Sequence, residues 1–323
     1  MGSIDELSIA GWRLLVVCVL LILPGCGSET PPPADSEGDK AVNAGARPRY
    51  TREYVFIAER ADNPTAALFE FQVTDTGEHL LRHTSGWLAY ADTWDAFLEQ
   101  SYATNRTSGV WRVLPHEELR VAAGGAAEIE SIWYSRGEQN LELHLEDPLS
   151  VWNQGTDTRY RLLDATLELG AESTDGTMLE ILRARRITSG APSPDRQYDR
   201  LFLADSASLR IVMAEAMGSA NPEERTFGWV LSDGDERTWE DAEVRWLNMR
   251  PLEEARRDIP LQWSFRIPDS GLIGEVTALG FDYTLGPEQA GRRAVEVRYT
   301  VEGWVEAGNV RRRVYGVVLH SQT

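Results

Sequence analysis

Apolar and polar residues alternate along most of the chain. Phe69, Phe71 and Val73 share one face of a run that begins at Ala67, and Leu141, Leu143 and Leu145 alternate with Glu142, His144 and Glu146. The same period recurs in Leu209, Ile211 and Met213, in Leu261, Trp263, Phe265 and Ile267, and in Val295, Val297, Tyr299 and Val301. Val310, Val314 and Val318 repeat it with Arg311 and Arg313 interleaved. Successive strand side chains point to opposite faces, so period two over short runs predicts antiparallel strands with one buried face. Between the runs stand Asp75-Thr76-Gly77, Gly124-Gly125, Arg136-Gly137, Asp175-Gly176, Asp233-Gly234-Asp235 and Ala307-Gly308-Asn309. These residue types suit tight hairpins. Roughly sixteen such runs fill the chain, enough for two barrels or sandwiches in tandem. One stretch breaks the period: in Gly86–Thr104, the residues Trp87, Tyr90, Trp94, Phe97, Leu98 and Ser101 recur at three and four. That spacing predicts one amphipathic helix near 87–102, packed on a barrel. A second stretch, Thr188–Asp199, has two prolines and no apolar pattern, and it divides the body into domains at 50–190 and 191–323.

Before residue 50 the pattern is different. Arg13 precedes an apolar run, Leu14–Leu23, that is about half the length of a bilayer-spanning helix. It fits the central region of a signal peptide. Leu23-Pro24-Gly25-Cys26 resembles a bacterial lipobox, which implies that residues 1–25 are removed and the Cys26 thiol is acylated. An ordinary secretory signal followed by an incidental cysteine is the alternative. Residues 26–49 are rich in Pro, Gly, Ala and charge with almost nothing to bury, the composition of a disordered, extended tether. Two or three acyl chains give lasting attachment where one is marginal. The expected location is the bacterial cell envelope, with the membrane as partner through the acyl anchor. Gly27 rather than Asp after the cysteine is similar to Gram-negative signals for the outer membrane, facing the periplasm.

Charge narrows the partners. The chain carries 51 Asp and Glu against 32 Lys and Arg, a net charge of −19 at pH 7. Nucleic-acid affinity comes from neutralising phosphates, and electrostatic adhesion to anionic lipid from basic clusters, so the acidity argues against both. Cleavage before Cys26 would leave that cysteine alone, with no disulfide, cysteine nucleophile or thiolate metal site. The remaining body is long enough to bury a sufficient core without staples, and 11 Trp and 10 Tyr make that core aromatic.

The C-terminal third carries a family resemblance. Pro260, Trp263, Ile267, Pro268, Gly271 and Leu272 follow the "P-x-x-W-x-x-x-I-P-x-x-G-L" strand-turn of secreted lipocalin-like proteins grouped with carotenoid 1,2-hydratase (hydroxyneurosporene synthase). Val301-Glu302-Gly303-Trp304-Val305, Gly308 and Tyr315-Gly316-Val317-Val318 are similar to that group's terminal hairpin. The resemblance covers residues 225–320 and implies an all-β chain of two tandem lipocalin-like (calycin) antiparallel barrels. The group's N-terminal Glu-Trp-Trp-Tyr signature is absent; the nearest stretch is Arg52-Glu53-Tyr54-Val55-Phe56.

Candidate chemistry is sparse. Hydration of an alkene needs an acid positioned against an apolar chain. Asp282 and Tyr283 are the adjacent candidates, and strand and turn positions are their simpler explanation; His320 is the one histidine of the second half. His79 and His83 lack a third ligand in view, so no metal site is expected. Asp233-Gly234-Asp235-Glu236 lacks EF-hand spacing and reads as a solvated hairpin tip. There is no Gly-x-Ser-x-Gly elbow and no phosphate-binding glycine loop, and no cofactor is expected. If a barrel lumen is open, Trp229, Trp246, Trp263 and Phe265 are expected to line it. Three functions fit. An open cavity without a buried carboxylate would make the chain a lipoprotein that binds an apolar or amphipathic small molecule. An open cavity holding a carboxylate of raised pKa would make it a hydratase or hydrolase of an isoprenoid or lipid. Filled barrels would make it a structural or assembly lipoprotein.

Overall fold

Nearly every alternating run becomes a strand. The computed structural model describes residues 46–60, 63–124, 128–154, 156, 158–188, 197–217, 226–239, 241–289 and 291–322. The expected signal peptide, most of the expected tether and Cys26 lie outside them. The first half supplies β1 (Ala46–Arg60), β2 (Asn63–Asp75), β3 (His79–Tyr90), β4 (Thr93–Asn105), β5 (Leu119–Ala123), β6 (Ile129–Arg136), β7 (Gln139–Gln154), β8 (Thr158–Leu169) and β9 (Glu172–Thr188). The second half supplies β10 (Gln197–Ala204), β11 (Arg210–Met217), β12 (Thr226–Ser232), β13 (Asp235–Trp239), β14 (Glu243–Leu252), β15 (Arg257–Ile267), β16 (Leu272–Gln289), β17 (Arg292–Ala307) and β18 (Val310–Gln322). The strand called β1 starts inside the stretch read as tether, and Arg49 already pairs with Thr74 and Arg185.

Each half forms one nine-stranded antiparallel sheet, in the orders β4-β3-β2-β1-β9-β8-β7-β6-β5 and β13-β12-β11-β10-β18-β17-β16-β15-β14. In both, the first strand lies beside the last. Tyr54 and Phe56 of β1 meet Ile132 of β6, Leu143 of β7 and Leu163 of β8 in one buried cluster, which a flat sheet cannot arrange. The second sheet curls likewise around Trp263, Phe265, Tyr299 and the valines of β17 and β18. These are the tandem lipocalin-like barrels that the family resemblance implies and that the period of the chain allows, and both interiors are packed with side chains.

A third cluster joins the outer faces of the two sheets. Val55 and Ile57 of β1, Leu179 and Ile181 of β9 and Trp152 of β7 pack against Phe202 of β10, Val212 of β11, Trp229 of β12 and Val317 of β18. Trp152 and Trp229 stack with ring centroids 4.3 Å apart and planes 3° from parallel. The seam strands are therefore buried on both faces, and their sequences (Tyr54-Val55-Phe56-Ile57-Ala58, Leu201-Phe202-Leu203-Ala204) are continuously apolar rather than alternating.

The helix expected near 87–102 is instead the hairpin of β3 and β4. Tyr90 pairs with Thr93 around Ala91-Asp92, with Ala91 at φ 55°, and a register shift opposite Gly86 and Trp87 leaves Phe97 as an extra residue in β4. Trp87, Ala89 and Trp94 face the second barrel, whereas Leu88, Phe97 and Leu98 face the first barrel's interior. Two buried faces with a bulge between them place apolar residues three and four apart without any helix.

Candidate active site

The C-terminal barrel ends in a cleft of about 460 Å³, within the range of small-molecule sites. Edge strand β14 contributes Trp246, Met249, Pro251 and Leu252, and the end of β18 contributes Gln322. Behind Trp246 and Gln322 lies a buried polar group. Asp199 of β10 and His320 of β18 are register partners, and their side chains are 4% and 0% exposed. His320 Nδ1 and Asp199 Oδ1 are 2.6 Å apart. Asp199 Oδ2 accepts a hydrogen bond from Trp246 Nε1, which spans from β14 to β10 and ties the two flanks of the sheet together.

The protonation of His320 follows from its neighbours. Gln322 Nε2 lies 2.8 Å from the Asp258 carbonyl oxygen, an acceptor only, so the amide nitrogen faces that way. The same nitrogen lies 2.8 Å from His320 Nε2. An amide nitrogen donates and does not accept, so His320 Nε2 receives a hydrogen bond and carries the lone pair. Nδ1 then holds the proton and donates it to Asp199. The nitrogen that accepts is turned toward Gln322, which lines the cleft.

Two further donors stand in the same interior. Trp263 and Tyr299 are fully buried with rings edge to face at 4.9 Å, and neither Trp263 Nε1 nor Tyr299 Oη has a hydrogen-bond partner among the described residues. Burial, then the Asp199 carboxylate, pushes the Tyr299 hydroxyl well above the usual phenol range, so it stays protonated. Orphaned buried donors are uncommon and cost free energy.

The sequence-derived candidates are distributed unevenly. Trp263 and Phe265 belong to the packed inner wall, and Trp246 lies over the cleft. Trp229 lines no lumen: it belongs to the contact between barrels, because its position on β12 faces outward. Asp282 and Tyr283 point to opposite faces of β16, as neighbours in a strand must, so they form no acid pair. Tyr283 packs inward, while Asp282 faces Arg298 at 3.5 Å, whose guanidinium lies 3.6 Å from the Trp87 ring centroid. His83 bonds Ser101 on the neighbouring strand, and His79 is exposed. Sequence reasoning missed Asp199 and Gln322. The available signal was the lone His320 alternating with Val318 and Gln322 on a strand of otherwise buried apolar residues.

Two other polar groups are present. On the outer face of the first barrel, Glu142, His144 and Glu168 offer ligand atoms within 4.8 Å of one another. Sequence did not bring them together because Glu168 reaches the other two through the β7–β8 register. In the first barrel's interior, Glu180 accepts from Arg52 Nε at 2.7 Å, Tyr54 Oη at 2.8 Å and Arg161 at 2.9 Å. Burial works to raise this carboxyl, but Arg52 and Arg161 outweigh it and hold the group below the usual carboxylate range. Arg82 reaches the carbonyls of Arg112 at 2.7 Å and Gly109 at 2.6 Å, fastening residues 106–114 across that barrel. With its acceptors already met, this interior is a scaffold.

The fold defines the class of protein, a tandem lipocalin-like barrel. No protein-family model matches the chain, and no curated protein matches it in sequence. Among solved structures, it is similar to an AttH-like protein of Nitrosomonas europaea, with a TM-score of 0.56 and 11% identity over 90% of this chain and 97% of that one. Kievitone hydratase of Nectria haematococca superposes with a TM-score of 0.52 and 12% identity over 86% and 89% of the two chains. The protein CghA gives 0.50 and 9% over 86% and 88%. At such identities the likeness is one of fold.

Proposed function

We propose that the chain is an acid–base enzyme that adds water to, or removes it from, an activated carbon–carbon double bond of a small amphipathic molecule. The observation that carries this reading is the buried Asp199–His320 pair directly behind Trp246 and Gln322, two residues that line an open cleft, with Nε2 as the nitrogen that faces Gln322. A general base needs an imidazole oriented through its other nitrogen, and Asp199 supplies that orientation. In hydration, His320 Nε2 takes a proton from water as the water oxygen bonds to the electrophilic carbon and the carbon–carbon π pair shifts to the neighbouring carbon; the imidazolium then returns its proton to that carbon, so H and OH are added and the base is restored. Dehydration runs through the same atoms in reverse. The Tyr299 hydroxyl and Trp263 N–H are donors suited to charge developing on an oxygen. Gln322 caps Nε2, so substrate entry displaces that amide. One of the three similar folds is a hydratase by name, which supports the reaction class.

A second reading is a lipoprotein that binds a small molecule in the cleft without turnover, favoured by the occupied Nε2; the packed interiors favour instead the structural or assembly lipoprotein. In either case the body would work beside a membrane, held through an acylated Cys26 in the bacterial envelope. That part rests on the sequence.

The test is incorporation of heavy oxygen. The full chain and its His320→Gln variant are incubated with a lipid extract of the native host in heavy-oxygen water, and the extract is read by mass spectrometry. The enzyme reading expects a labelled hydroxylated species with the wild type and at least about a hundredfold less with the variant, the size of a typical general-base effect. Equal labelling by both proteins, or no labelled species with either, sinks it. A molecule retained stoichiometrically but unlabelled would favour the binding reading.

A further inference from the structure

We infer that the cleft takes a ligand with an anionic group, held at the rim by Arg292 and Arg256, while its apolar body lies along Trp246, Met249 and Leu252. The inference rests on the proposed reading only in that it assigns the substrate class of the same cleft.

The starting observation is a local reversal of charge. The chain as a whole carries −19, yet three arginines, Arg256, Arg257 and Arg292, line this cleft against two acids, Glu253 and Asp258. Among the described residues, no carboxylate is in ion-pair contact with Arg256 or Arg292. The Arg256 guanidinium donates to the Gly291 carbonyl at 3.1 Å, and Arg257 Nε donates to the Arg293 carbonyl at 2.7 Å. The carbonyl acceptor holds the Arg256 guanidinium in place without neutralising its charge. The contrast with nearby arginines is direct. Arg245 and Arg266 on the same pair of strands are both engaged by Glu243, at 3.1 and 2.6 Å. Arg312 and Arg313 are likewise paired with acids. Arg200, Arg210 and Arg298 of the second barrel also meet carboxylates, whereas Arg256 and Arg292 at the cleft meet none among the described residues.

Geometry fixes where the charge acts. Arg256 sits in the turn between β14 and β15 with φ 53°, and Arg292 opens β17, so the two belong to neighbouring hairpin ends at one mouth of the barrel. Gly291, at φ 78°, comes close to Arg256: a β-carbon there would lie 3.6 Å from the guanidinium. The opposite wall is apolar, with Met249 37% exposed and Leu247 beside it on the edge strand 51% exposed. Guanidinium groups bind carboxylates and related oxyanions through paired hydrogen bonds, and positive charge concentrated in a cleft attracts such ions against an unfavourable net charge. A ligand that is anionic at one end and apolar at the other matches both walls. Its apolar part would then point toward Trp246 and the buried histidine.

The probe is 1-anilinonaphthalene-8-sulfonate, compared with N-phenyl-1-naphthylamine, the same aromatic skeleton without the anion. Both are titrated by fluorescence into the full chain. Arg292→Gln is expected to weaken the sulfonate about tenfold, and Arg256→Gln with Arg292→Gln by more, while the neutral amine keeps its affinity. Arg292→Lys should recover part of the loss. Far-ultraviolet circular dichroism confirms that each variant is folded. Equal weakening of both probes, no change in either, or no saturable binding of the sulfonate overturns the inference. The heavy-oxygen experiment keeps the two readings apart: if sulfonate binding depends on Arg292 but the wild type forms no labelled product, the anion site stands and the water-adding reading falls.

Discussion

Glu70 lies directly opposite Glu53 in the β1–β2 register, facing the second barrel. Glu53 is engaged by Arg200 across the contact and by Arg183 at 3.5 Å. Glu70 has weaker support: the Gln72 amide, itself held by Arg49, donates to it, while Glu296 of β17 adds a third negative charge and Arg298 a positive one. Burial first, then Glu53 and Glu296, push the Glu70 carboxyl from its ordinary 4.5 up to about 7. A carboxyl raised in the folded state binds its proton more tightly there than in the unfolded chain. Its contribution to stability is therefore complete below about 4.5 and lost as pH rises through about 7. Because the side chain keeps some contact with solvent, the loss should be about 1–2 kcal/mol rather than the full value of the shift. Urea unfolding near pH 5 and near pH 8 checks this: Glu70→Gln should remove most of the wild type's decline. Parallel curves for the two proteins would assign the decline to other groups. Nothing in the sequence marks Glu70, since its neighbours Glu53 and Glu296 reach it only through pairing and packing.

At the level of elements, the β3–β4 turn is seated on β16. Thr300 of β17 donates its hydroxyl to the Ala91 carbonyl, and Gly280 lies in a register shift of β16 directly beneath Asp92. A β-carbon at Gly280 would lie 1.9 Å from the Asp92 carbonyl oxygen, and backbone cannot yield as a side-chain tip can. Gly280→Ala should destabilise the protein by about 1–3 kcal/mol, seen as a lower thermal midpoint. An unchanged midpoint would mean that the turn lifts freely from the second barrel. The same elements mark what the sequence could reveal. Strands with one apolar face, such as the Val295–Val301 part of β17, announce themselves by alternation even though Arg298 and Thr300 on the other face are buried too. Strands between two cores, such as β1 and β10, do not, because period two vanishes when both faces are apolar. The β3–β4 hairpin is the extreme case, since its two apolar faces and the bulge at Phe97 imitate helical spacing. The site was legible only in part. Trp263 and Trp246 read as aromatic positions of the second barrel, but the partnership of His320 with Asp199 depends on a strand pairing that no local pattern encodes.

The whole molecule is two curled sheets with a shared aromatic contact, preceded by a segment whose composition reads as leader and tether. Acylation at Cys26 is tested in a Gram-negative host by radiolabelled palmitate: the wild-type full chain should take up label and sediment with membranes. Cys26→Ser should lose both properties; unlabelled wild-type protein would end the lipoprotein reading. A chain whose full sequence carries −19 has little electrostatic attraction to the lipid surface, so the anchor would be its main attachment. The seam of the second sheet has a consequence for the order of assembly. Asp199 and His320 stand 121 positions apart and meet only where β10 lies beside β18, after every hairpin between them has formed and the two ends of the meander have come together. Contacts of such separation carry a loop-closure cost that hairpins avoid, and they form slowly. A half-zipped second barrel would already own its aromatic wall and its arginine rim, yet have no oriented imidazole. Chemical competence would then report that folding is complete: a chain caught midway could hold a molecule without being able to transform it.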